Sequence, residues 1–211
     1  MLTIRRDHET HREKGGWFTA RIHQDASVHV ASLANRGGGA GDYPGPSGAD
    51  PQEGPLQGDP RVLELLNQHL TFELTAVNQY FLNSRMCANW GYERLAKRHR
   101  EIALEEMRDT EELIDRILYL DGHPNLQRLG TVRVGETPVE QIRLAVELER
   151  TAVRNLDGYV ATCVEVGDQG TREFLAAMIA EEERHVDWWE TQLVTIDQLG
   201  EALYLAQQVR D

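Results

Sequence analysis

Residues 171–193 read TREFLAAMIAEEERHVDWWETQL. At helical spacing Leu175, Met178, Glu182, His185 and Trp189 share one face. That face is apolar except for an acid and an imidazole one turn apart, where a helix core should carry neither. The same anomaly recurs in three other stretches. Leu66, Leu70, Glu73, Val77 and Tyr80 form one stripe; Ile102, Glu106, Asp109, Leu113 and Ile117 form another. Val139, Ile142, Val146, Glu149, Val153, Leu156 and Val160 form the last. A buried carboxylate costs several kcal/mol unless it is paired or binds a metal. Glu73, Glu106, Asp109, Glu149 and Glu182 cannot be neutralised by His185 alone, so a pair of divalent cations is the economical answer. The competing reading, surface acids on imperfectly amphipathic helices, fails because the flanking positions are so consistently apolar.

The stretches fall at matching depth. Glu73 lies 13 residues after Pro60, Glu106 lies 13 after Glu93, Glu149 lies 11 after Pro138 and Glu182 lies 11 after Thr171. The sequence predicts helices from Pro60 to Trp90, Glu93 to Leu120, Pro138 to Val166 and Thr171 to Leu193. A short fifth helix is expected over Ile196 to Val209, tolerating Gly200. Asp59 and Thr137 are N-cap candidates before prolines, and Gly91 and Gly167 are stop signals. Short turns make the first pair and the last pair of helices antiparallel. The connection from Asp121 to Thr137 can span about 55 Å at roughly 3.3 Å per residue. The second helix is about 42 Å long at 1.5 Å per residue. The connection can therefore cross the whole bundle. The expected fold class is all-α, a ferritin-like four-helix bundle with one long crossover and a short fifth C-terminal helix.

One Glu from each of two helices with Glu-x-x-His from the other two is the ligand pattern of carboxylate di-iron bundles. Here the fourth helix carries Glu182-Glu183-Arg184-His185, and the second carries Glu106-Met107-Arg108-Asp109, with Asp where the pattern wants His. Tyr80 lies seven residues after Glu73 on the same face. It is read either as a core tyrosine with a satisfied hydroxyl or as a catalytic residue with a redox or supporting role at the site.

Composition bounds the remaining possibilities. The 211-residue chain carries a formal net charge of −13. With no basic stripe to neutralise phosphates, it is not expected to bind nucleic acid. No apolar run is long enough for a membrane span. Cys87 and Cys163 are isolated thiols, which suits a reducing cytoplasm and excludes a rubredoxin-type iron module. Residues 37–58, GGGAGDYPGPSGADPQEGPLQG, cannot bury enough surface to offset their ordering entropy. Residues 1–55 are therefore expected to be a disordered N-terminal extension and residues 56–211 the bundle. The abrupt opening at LQGDPRV also suggests a start at Leu56, with the preceding residues a translated leader. His8, His11, His23 and His29 in that segment have no metal-site spacing.

Three segments carry a family resemblance. LQGDPRVLELLNQHLTFELTAVNQYFLNSRMCANWG (56–91), EEMRDTEELIDRILYLDGHPNLQRLG (105–130) and AEEERHVDWWETQL (180–193) resemble bacterioferritin. The resemblance implies an iron-storing ferroxidase that self-assembles into a 24-subunit hollow cage. It implies iron ligation by Glu73, Glu106, Glu149, Glu182 and His185, with the family's remaining ligand, a histidine, falling on Asp109. It implies haem b between twofold-related subunits, with the axial methionine falling on Met107. Met107 follows Glu106, so it points about 100° from the metal face, toward a neighbour. On residues alone, the favoured reading is an interface methionine filling a gap. Four carboxylates and two neutral imidazoles balance two Fe(II) ions, whereas a fifth carboxylate at Asp109 leaves one excess negative charge. An attenuated ferroxidase is therefore expected. The rivals are a haem-carrying subunit with an impaired site, mixed with a second, active bacterioferritin subunit, and a di-iron oxidase or peroxide reductase.

Overall fold

The computed structural model describes residues 57–209. The expected boundary near residue 55, the extension and the alternative start at Leu56 lie outside the described residues. Within them the chain forms α1 (Pro60–Trp90), α2 (Glu93–Tyr119), α3 (Pro138–Val166), α4 (Gln169–Leu199) and α5 (Glu201–Ala206). The described residues contain no strand.

Local chemistry sets most boundaries. Asp59 accepts a hydrogen bond from the Arg61 amide at 2.8 Å, with Pro60 pre-set in the first turn of α1. Thr137 caps α3 through the Glu140 amide at 3.1 Å, and Glu140 reaches back to the Glu136 amide at 2.8 Å. Gly167 ends α3 in the left-handed region at φ 80°, a conformation that costs glycine little.

The start and length of α4 depart from expectation. Its N-cap is Asp168, which accepts from the Thr171 amide at 2.9 Å and from the Thr171 hydroxyl at 2.6 Å. Asp168 also takes Arg116 from the end of α2 at 3.2 Å. The helix then runs six residues past Leu193, to Leu199. Gly200, at φ 78° and ψ 147°, breaks the helix and does not continue one. The fifth helix is correspondingly a six-residue turn, Glu201–Ala206. It is held by Tyr204, which is buried and donates to Gln192 at 3.0 Å.

The long crossover runs beside α1 without secondary structure of its own, so its backbone groups need side-chain partners. Asn67 accepts from the Asn125 amide at 2.7 Å, Thr75 from Gly130 at 2.8 Å and Gln79 from Arg133 at 2.6 Å. Gln79 also donates to the Arg133 carbonyl. The crossover thus climbs α1 from Asn67 toward Met86, where Gln141 of α3 donates to Met86 Sδ at 3.6 Å. It carries the chain to the far end, so α3 descends beside α1 and α4 returns beside α2.

The core is split in two. One apolar cluster holds Ala76, Tyr80, Leu95, Ile102, Ile142, Val146 and Trp189. The other holds Leu66, Leu70, Leu113, Ile117, Leu156, Leu175 and Met178. The acids and imidazole flagged by the sequence on α1 to α4, Glu73, Glu106, Asp109, Glu149, Glu182 and His185, are all buried and belong to neither cluster.

Candidate metal centre

Antiparallel packing brings the mid-helix acids to one level. Glu106, Glu149, Glu182 and His185 each present one donor atom, and these atoms all lie within 4.8 Å of one another. His185 Nδ1 stands 3.3 Å from Glu106 Oε1 and 3.8 Å from Glu182 Oε2. The other ring nitrogen, Nε2, meets Glu105 Oε2 at 2.9 Å. A carboxylate on Nε2 fixes the ring orientation and leaves Nδ1 for the centre. Tyr80 donates its hydroxyl to Glu149 Oε1, so it supports a centre carboxylate from within the core.

Glu73 is fully buried beside this group. Its Oε1 lies 3.0 Å from His69 Nε2, a contact without hydrogen-bond alignment. Asp109 is buried at 6% exposure but contributes no atom to the four-donor group. It faces a cavity between α2 and α4. Met107 lies on the outer face of α2 at 41% exposure, away from the centre.

The donor set fits a cation. Both oxygens of Glu73, both of Glu106, Glu182 Oε2 and His185 Nδ1 are buried without a hydrogen-bond partner. Native proteins rarely leave such atoms unpaired, and several converging on one point need a positive charge among them. Burial, then the charge of Glu182, pushes the carboxyl groups of Glu73, Glu106 and Glu149 well above the usual range. Burial pushes Glu182 the same way, yet its contacts with His185 and Glu149 outweigh that and hold it low. Burial works against a proton on His185, but Glu106 and Glu182 beside it raise the imidazole to about 11. The acids that converge on the centre thus favour the protonated form of the imidazole. Asp109 is raised to about 7, first by burial and then by Glu106, Glu181, Glu182 and Glu112.

The ferritin-like domain family matches residues 63–199. A bacterioferritin from Mycobacterium leprae is 49% identical over 154 residues, covering 73% of this chain and 97% of the relative. One from Streptomyces coelicolor is 45% identical over 151 residues, covering 72% of this chain and 90% of the relative. The chain belongs to the bacterioferritin family. The solved structure of Mycobacterium tuberculosis bacterioferritin BfrA superposes with a TM-score of 0.72 at 48% identity, covering 73% of this chain and 97% of that one. The expected resemblance and the all-α, ferritin-like architecture are both shown. The family match leaves residues 1–62 and 200–211 outside it.

Three residues at or beside the centre were missed in the sequence. His69 lies four residues before Glu73, the spacing that stacks both on one helix face; that spacing was the available signal. Glu105 neighbours Glu106 and faces partly outward, so only packing reveals its contact with His185. His99 is fully buried with both ring nitrogens unpaired. It lies 4.6 Å from the Trp189 ring and 5.7 Å from that of Tyr80.

Proposed function

We propose that this chain is an iron-storage ferroxidase: it takes up Fe(II), oxidises it to Fe(III) inside the helix bundle and stores the product as mineral. The observation that carries this reading is the buried convergence of Glu106, Glu149, Glu182 and His185 with carboxylate oxygens left unpartnered. Iron is the substrate. Glu106 and Glu182 sit centrally and would each serve both ions of a pair, with Glu149 and His185 completing one side and Glu73 and Asp109 the other. Dioxygen or hydrogen peroxide accepts one electron from each iron. The carboxylates favour that step because they stabilise the rising positive charge in a preorganised, dry site.

The surrounding residues do identifiable work. Tyr80 holds Glu149 through its hydroxyl, and Glu105 holds the His185 ring through Nε2. The two apolar clusters exclude water on either side. Asp109 adds negative charge where the family pattern has an imidazole. The excess favours Fe(III) over Fe(II), so the site is proposed to oxidise iron readily once and turn over slowly. Stopped-flow oxidation of added Fe(II) tests the reading. A burst in the wild type that disappears in Glu106→Gln supports it; equal rates in both refute it.

Family membership supports self-assembly into a hollow cage, proposed at 24 subunits, in a cytoplasmic setting. Among the described residues no helix is long and apolar enough to cross a membrane. Exposed Met107 suits an axial haem b ligand at a twofold interface. A second reading is favoured by one observation, that Asp109 stays out of the four-donor group. In it the chain is a haem-carrying subunit with an impaired iron site beside an active paralogue. Co-purification of a second subunit with histidine at that position supports it.

A further inference from the structure

The first helix carries an imidazole that the protein itself leaves unsatisfied. His69 is fully buried, and neither ring nitrogen has a hydrogen-bond partner among the described residues. Its ring stacks on Phe72, with centroids 6.2 Å apart, and meets Tyr159 edge-on at 6.0 Å, so the walls around it are aromatic. Two dry polar atoms in such a place cost stability that an aliphatic side chain would not.

Nε2 faces Glu73. It stands 3.0 Å from Glu73 Oε1, one turn along the same helix face. Both oxygens of Glu73 are likewise unpartnered, so the two groups touch without the alignment of a hydrogen bond. A charged His69–Glu73 pair would satisfy both. Burial, however, lowers the proton affinity of the ring, against the pull of Glu182, Glu106 and Asp109. A cation between the two groups satisfies both without a proton. Metal–ligand bonds of roughly 2.0–2.2 Å place two ligands at right angles about 3.0 Å apart, which is the spacing observed.

We propose that His69 is an additional ligand of the centre, binding through Nε2 the ion on the Glu73 side. The proposal rests on the ferroxidase reading above and deepens it: α1 supplies the imidazole that α2 lacks at Asp109. A neutral ring carries no charge, so the excess negative charge of Asp109 stays while the ion gains a nitrogen donor of a kind that suits iron. The ring of His185 is fixed by Glu105 on its far nitrogen. Nδ1 of His69 has no such partner, so its ring is held in place by packing on Phe72 and Tyr159.

The test uses crystals of the full-length, assembled protein soaked in Zn(II), with anomalous scattering locating each ion. One ion is expected about 2.0–2.1 Å from His69 Nε2, shared with Glu73 and distinct from the ion on His185. In His69→Leu, a calorimetric Zn(II) titration should show that ion weakened by more than about 100-fold, beyond the loss typical of removing an outer hydrogen-bond partner, with the ion on His185 retained. The stripped variant should be at least as stable as the stripped wild type in guanidinium unfolding, because it loses two unpaired polar atoms. An ion on Glu73 with Nε2 outside bonding distance overturns the proposal, as does a smaller loss of affinity or a clearly less stable stripped variant. A centre that takes no Zn(II) anywhere overturns the ferroxidase reading, and this proposal with it.

Discussion

Glu106→Gln should change the sign of its effect on stability according to whether a cation is bound. In stripped protein, Glu106 is 1% exposed with neither oxygen hydrogen-bonded, and its carboxyl is raised well above the ordinary 4.5 by burial and by Glu182 and Glu73. The unfolded chain ionises freely near that ordinary value. As pH rises from 4.5 toward 7, the folded state therefore loses ground to the unfolded one. The cost at pH 7 is capped by that interval, at about 1.4 kcal/mol per pH unit, so it is at most roughly 3.5 kcal/mol per subunit. Gln is nearly isosteric and carries no charge, so it removes most of that cost. The stripped variant should be more stable than the stripped wild type by about 1–3 kcal/mol. With Zn(II) present the order reverses. The wild type gains about 4 kcal/mol when free ion is a thousandfold above its dissociation constant, and the variant gains little. Guanidinium unfolding followed by helical circular dichroism, with chelator and then with Zn(II), reads both. A stripped variant less stable than the wild type by more than about 1 kcal/mol would refute the reasoning. It would show that the carboxylate is held by the protein itself.

Four further outcomes follow from particular residues. Asp109→His removes the excess negative charge and should speed sustained Fe(II) oxidation about tenfold; identical progress curves would show that the charge is immaterial. Tyr80→Phe leaves Glu149 Oε1 without its donor, so stripped protein should lose about 1–3 kcal/mol and bind Zn(II) more weakly. His99 is held near 3, first by burial and then by Arg98; its unfolded value is near 6.5, so below pH 6.5 only the unfolded chain gains the proton. Wild-type stability should then fall by up to about 1.4 kcal/mol per pH unit toward pH 3 from this residue, and His99→Phe should flatten that slope while raising stability near neutrality. Gly135→Ala would place a Cβ 2.8 Å from the Gln141 backbone nitrogen, where nothing can yield, and should cost about 1–3 kcal/mol in a thermal or denaturant midpoint.

Much of the fold was readable because its punctuation is local. Asp59-Pro60, Thr137-Pro138, Gly91 and Gly167 mark helix ends by capping and backbone chemistry that needs no tertiary partner. The end of α4 is not marked locally, because residues 194–199 continue helically and Gly200 stops the helix through its backbone conformation at φ 78° and ψ 147°. The buried anchor Tyr204, which shapes the turn after it, is defined only by packing on Gln192. The acids of the centre were visible because a carboxylate inside an apolar stripe is costly and therefore conspicuous. His69 and His99 were not: a neutral imidazole in a core is cheap enough to pass as an ordinary position. That Asp109 turns to the α2–α4 cavity while Glu106 turns to the centre follows from helix placement, which periodicity alone does not supply.

In the proposed centre a cation holds the buried carboxylates of four helices together. Equilibrium binding of redox-silent Zn(II) to chelator-stripped, assembled protein measures it directly, comparing wild type with Glu182→Ala. Tightly bound ions are expected on each wild-type subunit, and their loss from the variant. Equal tight binding by both proteins, or none by the wild type, would contradict it.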